Sequence, residues 1–167
     1  MFFERNICQF VPQGNSGYTL TPLHFVLETN PKEQITETLS VFRVAYLLKG
    51  QGSLTTSKGE FSLSEGSVFF CLPAKKHTLK TQKGTVYSYI SYFGAKGNQL
   101  AEMIKLSESN CVFNNLSSIK MLWTNALPAP NEVTGIRAES ILLYTFSAIW
   151  EKLHQDRPTE HTIDAAT

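Results

Sequence analysis

The sequence predicts a mainly β fold with C-terminal helices (α+β): a small antiparallel barrel followed by about three α-helices. Three observations predict it. Between Val41 and Thr78, short apolar stretches alternate with glycine turns: Lys49-Gly50-Gln51-Gly52, Ser57-Lys58-Gly59 and Ser64-Glu65-Gly66. Glycine supplies the positive φ that tight turns between antiparallel strands require. Strands this short, at this spacing, fit a barrel or sandwich and not a parallel sheet. Beyond Gly94 the apolar period changes from strand-like to helical.

Taken in order, residues 1–17 read as an irregular arm ending in Gly14-Asn15-Ser16-Gly17. Residues 23–28 read as a strand, and 29–38 as a polar connection. Strands are then expected over 41–49, 53–56, 60–63, 67–72, 78–80 and 85–93. Helical spacing follows at 98–106, with Leu100, Met103 and Ile104 on one side, and at 116–126, with Ile119, Leu122 and Trp123. Leu127-Pro128-Ala129-Pro130 ends the second helix. Asn131 is placed to cap a last helix reaching about His154.

That last helix is apolar over a wide arc. At about 100° per residue, Ile136, Leu142, Leu143, Phe146, Ile149, Trp150 and Leu153 span roughly 140°. Two readings are open: a helix tucked between the barrel and its neighbouring helices, or one that also meets a partner helix. On the second, Leu142, Phe146, Ile149 and Leu153 are the candidate dimerisation residues. The expected division is 1–94 for the barrel and its arm, 95–157 for the helical region, and 158–167 for a linker leading into a further domain.

Composition narrows the function classes. The chain has 167 residues, 42% of them hydrophobic and 17% charged, enough apolar surface for a core. Fifteen basic and fourteen acidic residues leave a net charge of +1. That is not the basic footprint of an unaided nucleic-acid binder. No apolar run is long enough to span a membrane. Met1-Phe2-Phe3-Glu4-Arg5 reaches charge too early for a signal peptide. Cys8, Cys71 and Cys111 are isolated, with no metal-ligand spacing, as expected of inert thiols in a cytoplasmic protein.

Several motifs, in order, carry a resemblance. Tyr46-Leu47-Leu48-Lys49-Gly50-Gln51-Gly52 is followed by Leu63-Ser64-Glu65-Gly66-Ser67-Val68-Phe69. Leu72-Pro73 with His77 comes next, then Tyr92-Phe93-Gly94 and helices. This series resembles the N-terminal effector domain of AraC-family transcription regulators, with Ser67 where the family pattern has Asp. The resemblance covers nearly the whole chain. It implies a bacterial, cytoplasmic protein whose cupin-like barrel holds a small-molecule effector. It implies a homodimer formed through the C-terminal helices. It also implies a helix-turn-helix domain, absent from these residues, through which DNA is bound.

Cupin barrels also include metalloenzymes, which present two His and a Glu on one strand and a further His on a later one. Counted back from Gly50, the Glu position is held by Arg43, and Ile35-Thr36-Glu37-Thr38-Leu39 contains no His. Only His77 stands at the later position. The expectation is therefore no catalytic residues, no metal and no cofactor. If position 43 faces inward as that Glu does, Arg43, Ala45 and Leu47 point into the barrel. Phe42, Val44, Tyr46 and Leu48 then point outward.

A buried guanidinium needs an anionic partner, either Glu37 or a ligand carboxylate or phosphate. On strand 85–93, comparison with a sugar-responsive member of the family places Val86, Ser88, Ile90 and Tyr92 on the ligand face. The candidate ligand-binding residues are thus Arg43, His77, Leu79, Ser88 and Ile90. Two alternatives remain beside a ligand-sensing domain: a metal-dependent cupin enzyme, and a dimerisation module whose barrel is filled by its own side chains.

Overall fold

The computed structural model describes residues 5–9, 19–126 and 133–155. The expected fold class is found: two antiparallel sheets followed by helices. The strands are β1 (Arg5–Gln9), β2 (Thr21–Glu28), β3 (Gln34–Thr38), β4 (Phe42–Lys49) and β5 (Gly52–Thr56). They continue as β6 (Gly59–Leu63), β7 (Val68–Cys71), β8 (Lys76–Thr81), β9 (Val86–Phe93) and the short β10 (Val112–Phe113). The larger sheet runs β1-β2-β9-β4-β7-β10 and the smaller β3-β8-β5-β6. The helices are α1 (Ala95–Met103), α2 (Lys120–Asn125), preceded by a 3-10 turn, and α3 (Val133–Gln155).

Two strands lie where loops were expected. Part of the arm, Arg5–Gln9, is β1, pairing Ile7 with Val26 at the edge of the larger sheet. Gln34–Thr38 is β3, paired with β8 from Gln34↔Lys80 to Thr38↔Lys76. Its sequence, QITET, holds one apolar residue, so partner strand β8 defines it and its own hydrophobicity does not. Helix α1 begins three residues before the expected start. Gly14–Gly17, the Pro128–Pro130 loop, Asn131 and the stretch 158–167 lie outside the described residues.

Gly94 marks the junction of sheet and helix. It has φ 123°, and a Cβ there would sit 2.0 Å from the carbonyl oxygen of Thr19. No side chain fits that approach.

The larger sheet is covered on both faces. Its inner face meets the smaller sheet. Its outer face carries Phe25, Val44, Tyr46, Phe70, Ile90 and Tyr92 under the helices. Tyr46 stacks on Trp123 at 5.9 Å, Phe25 meets Trp123 edge-on, and Phe70 and Tyr92 both contact Phe146. Sheets and helices share one buried cluster.

This arrangement corrects the expected dimerisation residues. Leu142, Phe146 and Ile149 are all 0% exposed, and Leu153 packs partly buried against the same cluster. They form the seam between α3 and its own barrel, because the outer face of the sheet is as apolar as the inner one. The exposed apolar residues of α3 are Ile136 (67%), Tyr144 (57%) and Trp150 (41%).

Candidate functional site

The site is built where four strands bring polar and aromatic side chains into the space between the sheets. Arg43 is the second residue of β4, opposite Ser91 of β9 and Cys71 of β7. Alternation along β4 sends Arg43 to the opposite face from Tyr46 and its helices. β3 and β8 place Glu37 directly opposite His77 on the smaller sheet. Across the gap, Arg43 Nη1 donates to Glu37 Oε1 at 2.7 Å. His77 Nε2 lies 3.6 Å from that same oxygen. The guanidinium carbon sits 4.1 Å from the centre of the Tyr89 ring, a cation–π contact. Arg43 therefore points inward, and Glu37 is its partner, one of the two expected outcomes.

Two nitrogens of this cluster are buried without a hydrogen-bond partner: Arg43 Nε and His77 Nδ1. Buried donors are nearly always paired, so each is a place where a ligand atom would be stabilised. The His77 side chain is 4% exposed, those of Arg43 and Glu37 19% and 33%. The cluster thus opens to solvent on the Glu37 side. Leu79 follows His77 on the inner face of β8 and is buried.

Ser88 and Ile90 do not belong to this site. β4–β9 pairing sets Ser88 opposite Tyr46 and Ile90 opposite Val44, on the helix-covered face. Ser88 Oγ donates to the carbonyl of Val26 and is fully buried. The inner face of β9 carries Tyr87, Tyr89 and Ser91 instead. Tyr89, the platform under Arg43, is the residue that sequence reasoning passed over. Tyr89 lies on the other face of the same alternating strand, and the β4 pairing decides which face looks between the sheets.

Burial holds the His77 imidazole below its usual pKa, opposed by the Glu37 carboxylate, which raises it. The folded chain therefore favours neutral His77 more than the unfolded chain does. Its contribution to stability is complete above the usual value of 6.5. It is lost as pH falls from there towards the folded value, because the unfolded state takes up the proton first. Between pH 7 and pH 5, wild-type stability is expected to fall more steeply than that of His77→Gln. The difference is at most about 1.4 kcal/mol per pH unit. Urea titrations at each pH check this; parallel slopes would show that Glu37 cancels the burial effect.

Burial also pushes the Cys71 thiol up to about 12, so it is a packed and unreactive group. Among the described residues, no three or more His, Cys, Asp or Glu side chains are grouped to hold a metal ion. No described helix is long and apolar enough to cross a membrane. Clefts of about 370, 490 and 410 Å³ lie between α2 and α3, beside α3, and at the β5–β6–β8 edge; none is lined by Arg43, His77 or Leu79.

No family model and no curated protein matches the chain. Solved structures do. The protein YhaK from Escherichia coli is 13% identical with a TM-score of 0.48, over 65% of this chain and 49% of YhaK. An oxalate decarboxylase from Bacillus subtilis, a protein with Mn(II) centres, is 13% identical with a TM-score of 0.38, over 57% of this chain and 34% of the enzyme. EutQ from Clostridium difficile is 16% identical with a TM-score of 0.36, over 46% and 58%.

Proposed function

We propose that this chain is the ligand-sensing and dimerisation domain of an AraC-type transcription regulator, holding a small molecule between its two sheets and acting on an appended DNA-binding domain. The observation that carries the reading is the cluster of Arg43, Glu37, His77 and Tyr89, with two buried nitrogens left unpartnered. A barrel serving only as a scaffold gains nothing from such a cluster, since an apolar core of the same volume is as stable or more so. The ordered motifs from Tyr46 to Gly94 resemble that family's pattern and, with the following helices, support the reading. In this reading two copies meet along the outer face of α3, through Ile136, Tyr144 and Trp150. Binding alters the relation between the copies through unequal affinity for two arrangements.

A second reading is favoured by a specific observation. Leu47, Leu54, Leu63 and Phe69 on the inner faces are 0–2% exposed. A barrel so filled serves dimerisation with no small molecule. A thermal-shift screen against carboxylates, sugars, aromatic acids and metal ions separates the readings. A ligand at 100 times its dissociation constant adds about 2.7 kcal/mol of stability. Stabilisation by an organic ligand supports the sensing domain. Silence across the set, with a dimer by sedimentation, favours the filled barrel. Stabilisation by a transition metal alone overturns both.

A further inference from the structure

We infer that Arg43 anchors a recognition site for a monocarboxylate, and that Glu37 is the resident competitor occupying that site when no ligand is bound. The inference rests on the sensing reading above and names the class of ligand.

The chemistry of the anchor comes first. A guanidinium presents its N–H groups in a planar fork that matches the two oxygens of a carboxylate. In this fold the fork is only partly used. Nη1 is bonded to Glu37, and buried Nε has no partner. The ring of Tyr89 covers one face of the guanidinium. The contact that Arg43 does make is itself to a carboxylate, so the site already holds the functional group it is shaped for. The oxygen Oε1 is bonded to Arg43 at 2.7 Å, while His77 Nε2 lies 3.6 Å from it, beyond a hydrogen bond. His77 is nine-tenths and more buried, and its Nδ1 closes no hydrogen bond of good geometry, with the Lys75 backbone as its neighbour.

The position of Glu37 provides the exchange. It stands on β3, the edge strand of the smaller sheet, held by β8 alone. Its side chain is a third exposed. It can therefore turn to water and be hydrated when another carboxylate takes Arg43. One negative charge replaces another, and no unpaired charge is left buried. A phosphate dianion would add a charge that the single guanidinium does not balance. Ile35 and Leu79, paired across β3 and β8 next to Glu37 and His77, give the ligand a small apolar wall. The predicted ligand is thus a monocarboxylate with a compact apolar body.

Sodium benzoate and sodium acetate are the probes, titrated against the whole domain at constant ionic strength set with sodium chloride. Arabinose and inorganic phosphate serve as comparisons, and binding is read by calorimetry and thermal shift. Glu37→Gln, close in shape and still able to accept from Arg43, removes the competitor. It is expected to bind benzoate at least tenfold more tightly than the wild type. Arg43→Lys keeps the charge without the fork and is expected to bind at least tenfold more weakly than the wild type. Weaker binding by Glu37→Gln would overturn the competitor role. Binding of phosphate in preference to both carboxylates would overturn the ligand class. Stabilisation by a neutral sugar alone would sink the carboxylate inference and leave the sensing reading standing. No binding by any probe to wild type or Glu37→Gln would count against both.

Discussion

Leu142→Glu is expected to unfold the domain and not merely to separate two copies of it. Leu142 is completely buried on the seam between α3 and the larger sheet. A carboxylate there has no described cation to pair with, and its desolvation costs on the order of 5 kcal/mol or more. Set against a total stability of about 5–15 kcal/mol, that removes roughly a third of the margin or more, and all of it at the lower end. For a chain of this size it corresponds to a melting temperature lower by roughly 10–20 °C. Trp150→Glu is the contrasting variant. Trp150 is 41% exposed and stacks on His154 with ring centres 3.8 Å apart. Its replacement is expected to change stability by about 1 kcal/mol or less. If the outer face of α3 joins two copies, it shifts the sedimentation profile towards monomer. A folded, monomeric Leu142→Glu protein would show that the assignment of the two helix faces is reversed.

Trp123→Ala is expected to cost about 3–5 kcal/mol, the range for emptying a large aromatic site in a core. Trp123 is where helix α2 is pinned to the barrel. Its indole stacks on Tyr46, meets Phe25 edge-on and donates through Nε1 to Thr145 Oγ1 of α3 at 3.2 Å. One side chain thus ties β2, β4, α2 and α3 together. Tyr46→Phe tests the same junction more gently, leaving the Leu116 carbonyl without its 2.9 Å bond at a cost of about 1–1.5 kcal/mol. Urea unfolding with unchanged slope measures both. A loss below about 1 kcal/mol for Trp123→Ala would mean that the helices are loosely attached, contrary to the shared core.

Much of this architecture was legible in the residues themselves. Glycine turns and short apolar runs located the strands from β4 to β9, since positive φ at Gly50 and Gly66 leaves few alternatives. Counting from Gly50 along β4 sent Arg43 inward and Tyr46 outward, because strand alternation is strict. Glu37 was foreseen as one of two partners for Arg43, and the one slightly favoured, since arginines are usually paired within their own fold.

Tertiary structure decided the rest, in each case because a contact across the chain outweighed a local pattern. β3 is a strand because β8 offers it a ladder, although QITET by itself reads as a loop. The face of β9 that joins the site depends on its register with β4. A slip of one residue exchanges Ser88 and Ile90 for Tyr87 and Tyr89, and nothing within the strand specifies it. The wide apolar arc of α3 belongs in its buried part to the barrel, since the sheet is apolar on both faces. Sequence by itself determined the strands from β4 to β9, the helical C-terminal part and which residue carries the inward charge. Only the folded chain determined what that charge meets, because Arg43, Glu37, His77 and Tyr89 come from four strands whose pairing no local pattern encodes.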